Sequence, residues 1–371
     1  MHARQKPMIA TLACLSVAVA VGAVRDEQPA SEPARLTVIR AARLVDVEAG
    51  TVLRNQQVVS EGAIVKSVGP AGAPPAGATV VDLGDSTILP GLIDCHTHIT
   101  GEAGDYYEQL FRRSAIDAAV GAHRYAKRTL DAGFTTIRDV GAGEFIDIAL
   151  RKAITRGEVV GPRIFAAGLG IGSTGGHADV SGFSPYLAFG GFTGVADGVE
   201  AVRQKVRFNV KYGADLIKVV ATAGVLSEEE SVGAPQYTLD ELKALVDEAH
   251  MWARKVAAHA HGTEGIKRAI EAGVDSIEHA SLIDDDGIRM VKERGTYLVM
   301  DIYNDDYIVQ EYTRLRYPAQ IIEKEKKVGR AQRESFKRAV QAGRSSPSAA
   351  TRVSTPTATT ASSSRRWSSG G

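Results

Sequence analysis

Seven short apolar runs follow Pro90, and helix-forming stretches lie between them: GLIDCHTHI, FTTIRDVG, RIFAAGLGI, DLIKVVA, VAAHAH, SIEHA and TYLVMDI. Neighbouring parallel strands need a crossover of helical length, so this alternation points to a parallel α/β architecture. One connection shows its helix plainly. In YTLDELKALVDEAHMWARK, Thr238 and Glu241 have capping-box spacing, and Leu242, Leu245, Val246 and Ala249 fall on one face. Gly273 and Gly295 stand where helix C-caps belong. The expectation is a (β/α)8 TIM-type barrel over residues 90–343, truncated after about seven strands, with its chemistry at the C-terminal strand ends.

Before Pro90 the rhythm differs. LTVIRAARLVDV, QQVVSEGAIVKSVG and ATVVDLG are β-type runs separated by Gly, Pro and Ala turns, which predicts a small antiparallel β unit over 36–89. Residues 25–35 read as a charged, Pro-containing linker. The first 24 residues place the basic MHARQKPM before the apolar IATLACLSVAVAVGAV and offer small residues for cleavage, which is the layout of a secretory signal peptide. The apolar run is shorter than the roughly 20 residues of a membrane span. An uncleaved anchor is the rival reading, and export to the periplasm or the medium is the expectation. Removal of the signal takes Cys14 with it and leaves Cys95, so no intrachain disulfide is expected.

Lys plus Arg and Asp plus Glu are equal at 44 each, which argues against nucleic acid or an anionic membrane as partner. A small-molecule substrate, without stable membrane association once the signal is cleaved, is the remaining expectation; a homo-oligomer is open.

The polar residues at the strand ends give the first indication of chemistry. His96 and His98 are two apart in a strand and project to the same side, with Cys95 opposite. Alone, such a pair fits packed or surface histidines better than a metal site. His259 and His261 in VAAHAHG repeat the spacing, and His279 ends the next strand. Histidines recurring at strand ends of one barrel converge on one volume, and that convergence favours a metal. Lys218 lies in the apolar DLIKVVA, where an unpaired ammonium is costly to desolvate. Either it snorkels to the barrel mouth, or its amine has added carbon dioxide to become a carbamate that bridges two metals. Histidine-rich ligation with an oxygen bridge suits zinc, which acidifies water near neutral pH for amide or ester hydrolysis.

The stretches ILPGLIDCHTHI, AGFTTIRDVG, STGGHADV, DLIKVVATAGV, PQYTLDELKALVDEAH, VAAHAHG and SIEHAS occur in order within residues 36–343. As a set they resemble the amidohydrolase superfamily, in its metal-dependent Xaa-Pro dipeptidase and imidazolonepropionase-like branch. The resemblance implies a distorted barrel joined to a β-sandwich made from both chain ends. It implies two divalent ions, zinc by donor type: His96 and His98 on one, carboxylated Lys218 bridging, and His259 and His279 on the second. His261 could replace His259 as a ligand, but a substrate-contacting role is preferred. His177, in the Gly-rich loop after the third strand, is either a substrate contact or a flexible loop histidine. Tyr237 is a candidate for a substrate carboxylate, although a capped helix start explains its neighbours equally well. Arg138 and Asp139 are expected to form a structural ion pair at the barrel mouth. The implied reaction is hydrolysis of the C–N bond of a dipeptide, one with proline or a bulky C-terminal residue. Cyclic or aryl amides and a non-catalytic remnant are the alternatives.

The family pattern also requires an aspartate at the end of an eighth strand, which moves the proton from water to the leaving amine. After AQRESFKRAVQAG this chain gives RSSPSAATRVSTPTATTASSSRRWSSGG, which contains no carboxylate, so no catalytic acid is assigned. Its composition fits a disordered tail over 344–371. It also fits a frameshift near Gly343: legitimate codons for Arg344 onward, read two bases later, encode Val-Ile-Ala-Phe-Gly-Ser-Asp, a strand running into the missing acid. A chain lacking that strand is expected to be impaired, with its first and seventh strands left as open edges.

Overall fold

The computed structural model describes residues 35–102, 104, 108, 111–187, 193–227, 231–302, 304–344 and 353–354. The expected signal peptide and nearly all of the linker lie outside these residues. The chain divides into two compact units at Pro90 and Gly91.

The first unit is one sheet built from β1 (Leu36–Asp46), β2 (Thr51–Glu61), β3 (Ile64–Pro70), β4 (Thr79–Asp82) and β5 (Thr87–Ile88). Antiparallel register runs from Leu36 opposite Glu61 to Asp46 opposite Thr51, and β3 continues it on β2. β4 and β5, however, pair with β1 in parallel, so the sheet is mixed rather than antiparallel. The reason lies in GPAGAPPAGA, which reads as a turn but acts as a crossover. Extended, Pro-rich chain covers about 3.1 Å per residue, and residues 71–78 can therefore return the chain along roughly one strand length. Among the described residues there is one sheet here, not the two layers of the expected sandwich. Val38, Ala41, Leu44 and Val59 are buried, whereas Ile64, Val65 and Val68 on β3 are exposed.

The second unit carries seven parallel strands in chain order: β6 (Leu92–Thr97), β7 (Phe134–Asp139), β8 (Arg163–Ala166), β9 (Leu216–Val220), β10 (Lys255–Ala260), β11 (Ser276–His279) and β12 (Tyr297–Val299). Ladders join β6 to β7 to β8, and β9 through β12. Ile171 closes the interval between the two groups, with its N–H donating to the Lys218 carbonyl and its own carbonyl accepting from Val220 N–H, both at 2.8 Å. Strand order equal to chain order, with a helix in nearly every crossover, is the barrel arrangement that the sequence alternation predicts.

β13 (Val353–Ser354) pairs in parallel with β12 through Leu298 and Val299. Two residues of the expected disordered tail thus form a strand, and the seventh strand is not an open edge. Among the described residues β6 pairs with β7 alone.

Among the described residues the α-helices are α1 (Ala115–Asp131), α2 (Ile146–Thr155), α3 (Val199–Tyr212), α4 (Leu239–Met251), α5 (Thr263–Ala272), α6 (Asp285–Arg294), α7 (Asn304–Arg314) and α8 (Ala319–Arg344). α4 starts with the predicted Thr238–Glu241 capping box, and Gly273 and Gly295 end α5 and α6 in left-handed backbone at φ 95° and 70°. Leu242, Leu245, Val246 and Ala249 of α4 pack with Ile217 and Val219 of β9 in the larger core cluster. Each of the Leu, Val and Ile side chains contributes about 1.5–3 kcal/mol by burial. The alternate β9 residue Leu216 meets Val140, Ala167 and Ala257 in a separate apolar cluster inside the strands. On two of these strands the next residue on the same face is polar, Lys218 after Leu216 and His259 after Ala257.

Candidate metal centre

The strand-end histidines meet. The His96 ring lies 5.5 Å from that of His98 and 4.8 Å from that of His279, centroid to centroid. His259 is 4.7 Å from both His261 and His279, and His261 stacks on His279 at 4.7 Å. The ligand atoms of His259, His261 and His279 all lie within 4.8 Å of one another.

Protein groups face the Nδ1 atoms of four of these rings. His98 Nδ1 lies 2.8 Å from the Gly141 carbonyl, which can only accept, so Nδ1 carries the hydrogen and the Nε2 lone pair is left bare. His96 Nδ1 stands 2.8 Å from Glu278 Oε2, and His279 Nδ1 stands 3.0 Å from Asp301 Oδ1. A carboxylate or carbonyl on the second ring nitrogen is the usual support of a metal-binding histidine, because it fixes tautomer and orientation. His261 Nδ1 rests 2.7 Å from Ser281 Oγ. His259 Nε2 is buried with no hydrogen-bond partner, as suits a lone pair directed at a cation.

Burial also keeps His96, His259 and His261 neutral, as ligation requires. It pushes His96 down to about 3, with Lys218 adding to the effect, and holds His259 and His261 well below the usual histidine range. Lys218, 3% exposed, belongs to the same interior; burial pulls its ammonium down to about 8 against the opposing attraction of Glu278. A divalent cation fits this donor set of neutral imidazoles and a lysine with an accessible neutral form.

Strand alternation explains one expectation that diverges from the structure. Arg138 and Asp139 do not pair, because adjacent residues of a strand point to opposite faces. Arg138 instead donates to both Glu278 oxygens at 2.7 and 2.8 Å, to Ser276 Oγ at 3.0 Å and to the Cys95 carbonyl at 2.6 Å. Asp139, fully buried, accepts from Ile99 N–H and from Thr97 Oγ1, and burial raises its carboxyl. Tyr237 does not join the site either. It is 3% exposed within the core, and its hydroxyl donates to the Ala196 carbonyl at 2.7 Å, so no donor is offered to a substrate carboxylate. His177 does arrive: its ring stacks on His259 at 4.5 Å, and its Nδ1 contacts Ser227 Oγ. The ring fits because residue 224 is glycine, where a Cβ would come within 2.3 Å of it.

Four site residues escaped the sequence reading. Asp301 follows the seventh strand and was open to the same strand-end rule that found the histidines. Glu278 was masked by its neighbour, since an extended strand would put Glu278 and His279 on opposite faces. His279 leaves the extended region at φ 68°, Ala280 follows at φ 50°, and the ring turns toward His96 on Glu278's side. Asp94, 1% exposed below His96, accepts the His96 N–H at 3.0 Å, and burial pushes its carboxyl up to about 7. Gln332 gave no signal in a polar helix.

A family model described as amidohydrolase family matches residues 87–348. Ochratoxinase of Aspergillus niger is 34% identical over 289 residues, covering 72% of this chain and 59% of the relative, so the chain spans about 59% of that protein's length. A solved Xaa-Pro dipeptidase with methionine bound in its active site has a TM-score of 0.78 at 34% identity, over 87% of this chain and 79% of that chain. A prolidase complexed with N-methylphosphonate-L-proline has a TM-score of 0.79 at 30% identity, over 88% of this chain and 79% of that chain.

Proposed function

This chain belongs to the amidohydrolase family, and on that premise we propose that it hydrolyses C–N bonds of dipeptides with the help of two divalent ions, zinc by donor type. The observation that carries the reading is the convergence of five strand-end imidazoles, one of which buries a partnerless Nε2. His96 and His98 would hold one ion, His259 and His279 the other, and Lys218 as carbamate would join them. Such ions polarise a carbonyl and acidify water near neutral pH.

The chain's own groups prepare that volume. Glu278 and Asp301 hold His96 and His279 in place, and Val140, Ala167, Leu216 and Ala257 form one apolar cluster inside the strands. His177, stacked on His259, and His261 stand beside the ligands as substrate contacts. Dipeptides are favoured because the Xaa-Pro dipeptidase and the prolidase are both at least 30% identical to this chain. A cyclic or aryl amide is the second reading, and the 34% identity to ochratoxinase supports a substrate other than a dipeptide. The basic and apolar first 24 residues support an exported location.

Metal analysis of the purified chain, together with a panel of Xaa-Pro and other dipeptides and an aryl amide, tests the proposal. Two equivalents of zinc with dipeptide turnover support it. Bound metal without turnover of any substrate identifies a non-catalytic remnant, and absence of metal binding refutes the site.

A further inference from the structure

Helix α8 brings one side chain to the support of two of these histidines. Gln332, 6% exposed, donates from Nε2 to Asp301 Oδ1, the oxygen that faces His279 Nδ1 at 3.0 Å. Its Oε1 receives Ser281 Oγ at 3.1 Å, and Ser281, fully buried, stands 2.7 Å from His261 Nδ1. The amide therefore bridges two otherwise separate chains of hydrogen bonds.

We propose that Gln332 is a positioning residue that sets the tautomer of His261, so that His261 and His279 present bare Nε2 atoms to the same point. A hydroxyl can donate or accept, and the Ser281–His261 contact alone leaves the His261 proton undetermined. Asp301 removes the ambiguity. A carboxylate only accepts, so the NH2 end of Gln332 must face it and the carbonyl end must face Ser281. Ser281 then spends its one hydrogen on Gln332, accepts from His261 Nδ1–H, and leaves the His261 Nε2 lone pair bare. His279 needs no such help, because Asp301 fixes its tautomer directly. The inference uses the metal reading only for its consequence; the tautomers exist without metal.

Selective 15N-histidine labelling of the metal-free full-length chain, read by long-range 15N–1H correlation, tests it. The expected result is the Nδ1–H form for both His261 and His279. In Gln332→Leu the freed Ser281 hydroxyl donates to His261, so His261 moves to the Nε2–H form while His279 is unchanged. Ser335→Ala removes a contact between the same helix and the Ser281 carbonyl, and is expected to change neither ring. Cobalt binding by the unaltered chain reads the metal proposal separately. An Nε2–H tautomer of His261 in the unaltered chain overturns the proposal without any variant. So does an unchanged His261 tautomer in Gln332→Leu, or in Gln332→Met if the leucine variant does not fold. If the unaltered chain binds no cobalt, the metal reading fails, and the tautomers still decide the role of Gln332.

Discussion

The Glu278 carboxylate stands 2.8 Å from His96 Nδ1, although 182 positions separate the two residues in the chain. The contact ties β11 to β6, and Arg138 on β7 holds the same carboxylate through both oxygens. Glu278 is fully buried, and Arg138 and His96 keep its pKa far below the usual glutamate range despite that burial. Removing one member of such a cluster strands the other charge. Glu278→Ala is therefore expected to cost about 3–5 kcal/mol in urea unfolding. Glu278→Gln, which keeps the shape, is expected to weaken zinc binding about 10–100-fold through loss of His96 orientation. Equal zinc affinity in Glu278→Gln and the unaltered chain would show that this contact serves the fold alone.

At Gly224 the absence of a side chain is a requirement of the site. A Cβ there would stand 2.3–2.6 Å from three atoms of the His177 ring, so Gly224→Ala forces the ring or the loop to move. Overpacking of this kind costs about 1–3 kcal/mol. If His177 contacts substrate, Gly224→Ala and His177→Ala both raise KM severalfold while metal content stays unchanged. Loss of metal from either variant assigns the ring to ligand support instead.

How much of this arrangement the sequence revealed depends on whether each signal was local. The seven strands, the Thr238–Glu241 capping box and the C-caps at Gly273 and Gly295 are written in adjacent residues, and all are observed. Alternation within strands also assigned His96 with His98 and His259 with His261. The same rule fails at His279, where the backbone leaves the extended region, so Glu278 was not legible. The Arg138–Glu278 pair depends on which strands face each other across the barrel, and a linear pattern does not carry that information. The parallel return of β4 was hidden for a related reason, because a crossover of Gly, Pro and Ala looks like a turn.

Glu325 gives the protein a stability that depends on pH. It lies 5% exposed on α8, and burial, with Asp301 and Asp305 nearby, pushes its carboxyl up to about 8 from 4.5. Below pH 4.5 the group is protonated in folded and unfolded chains alike. Between 4.5 and about 8 the unfolded chain releases the proton that the folded chain keeps, so stability falls as pH rises, and above 8 the penalty is complete. At pH 7 this amounts to roughly 3 kcal/mol, at about 1.4 kcal/mol per pH interval. Glu325→Gln is expected to raise Tm over the unaltered chain at pH 8 and to make little difference at pH 4.5. A stabilisation of equal size at both pH values would refute the titration account.

The eighth strand position carries the last prediction. Val353 and Ser354 pair with β12 there, and no Asp or Glu occurs from Arg344 onward. The side chains available in this segment cannot carry a proton from water to a leaving amine near neutral pH, whereas legitimate codons for the same residues, read two bases later, would supply Gly-Ser-Asp after four apolar residues. A positioned general acid–base contributes about 10²–10⁴-fold. Changing the frame at codon 343 is therefore expected to raise kcat/KM on a dipeptide by at least about 10²-fold, and Asp→Asn at the restored acid is expected to abolish the gain while leaving the fold intact. Nucleotide sequencing provides the independent check. Codons from Arg344 onward that cannot encode Val-Ile-Ala-Phe-Gly-Ser-Asp in the second frame exclude the frameshift, and the tail must then be explained as a sequence selected in its own right.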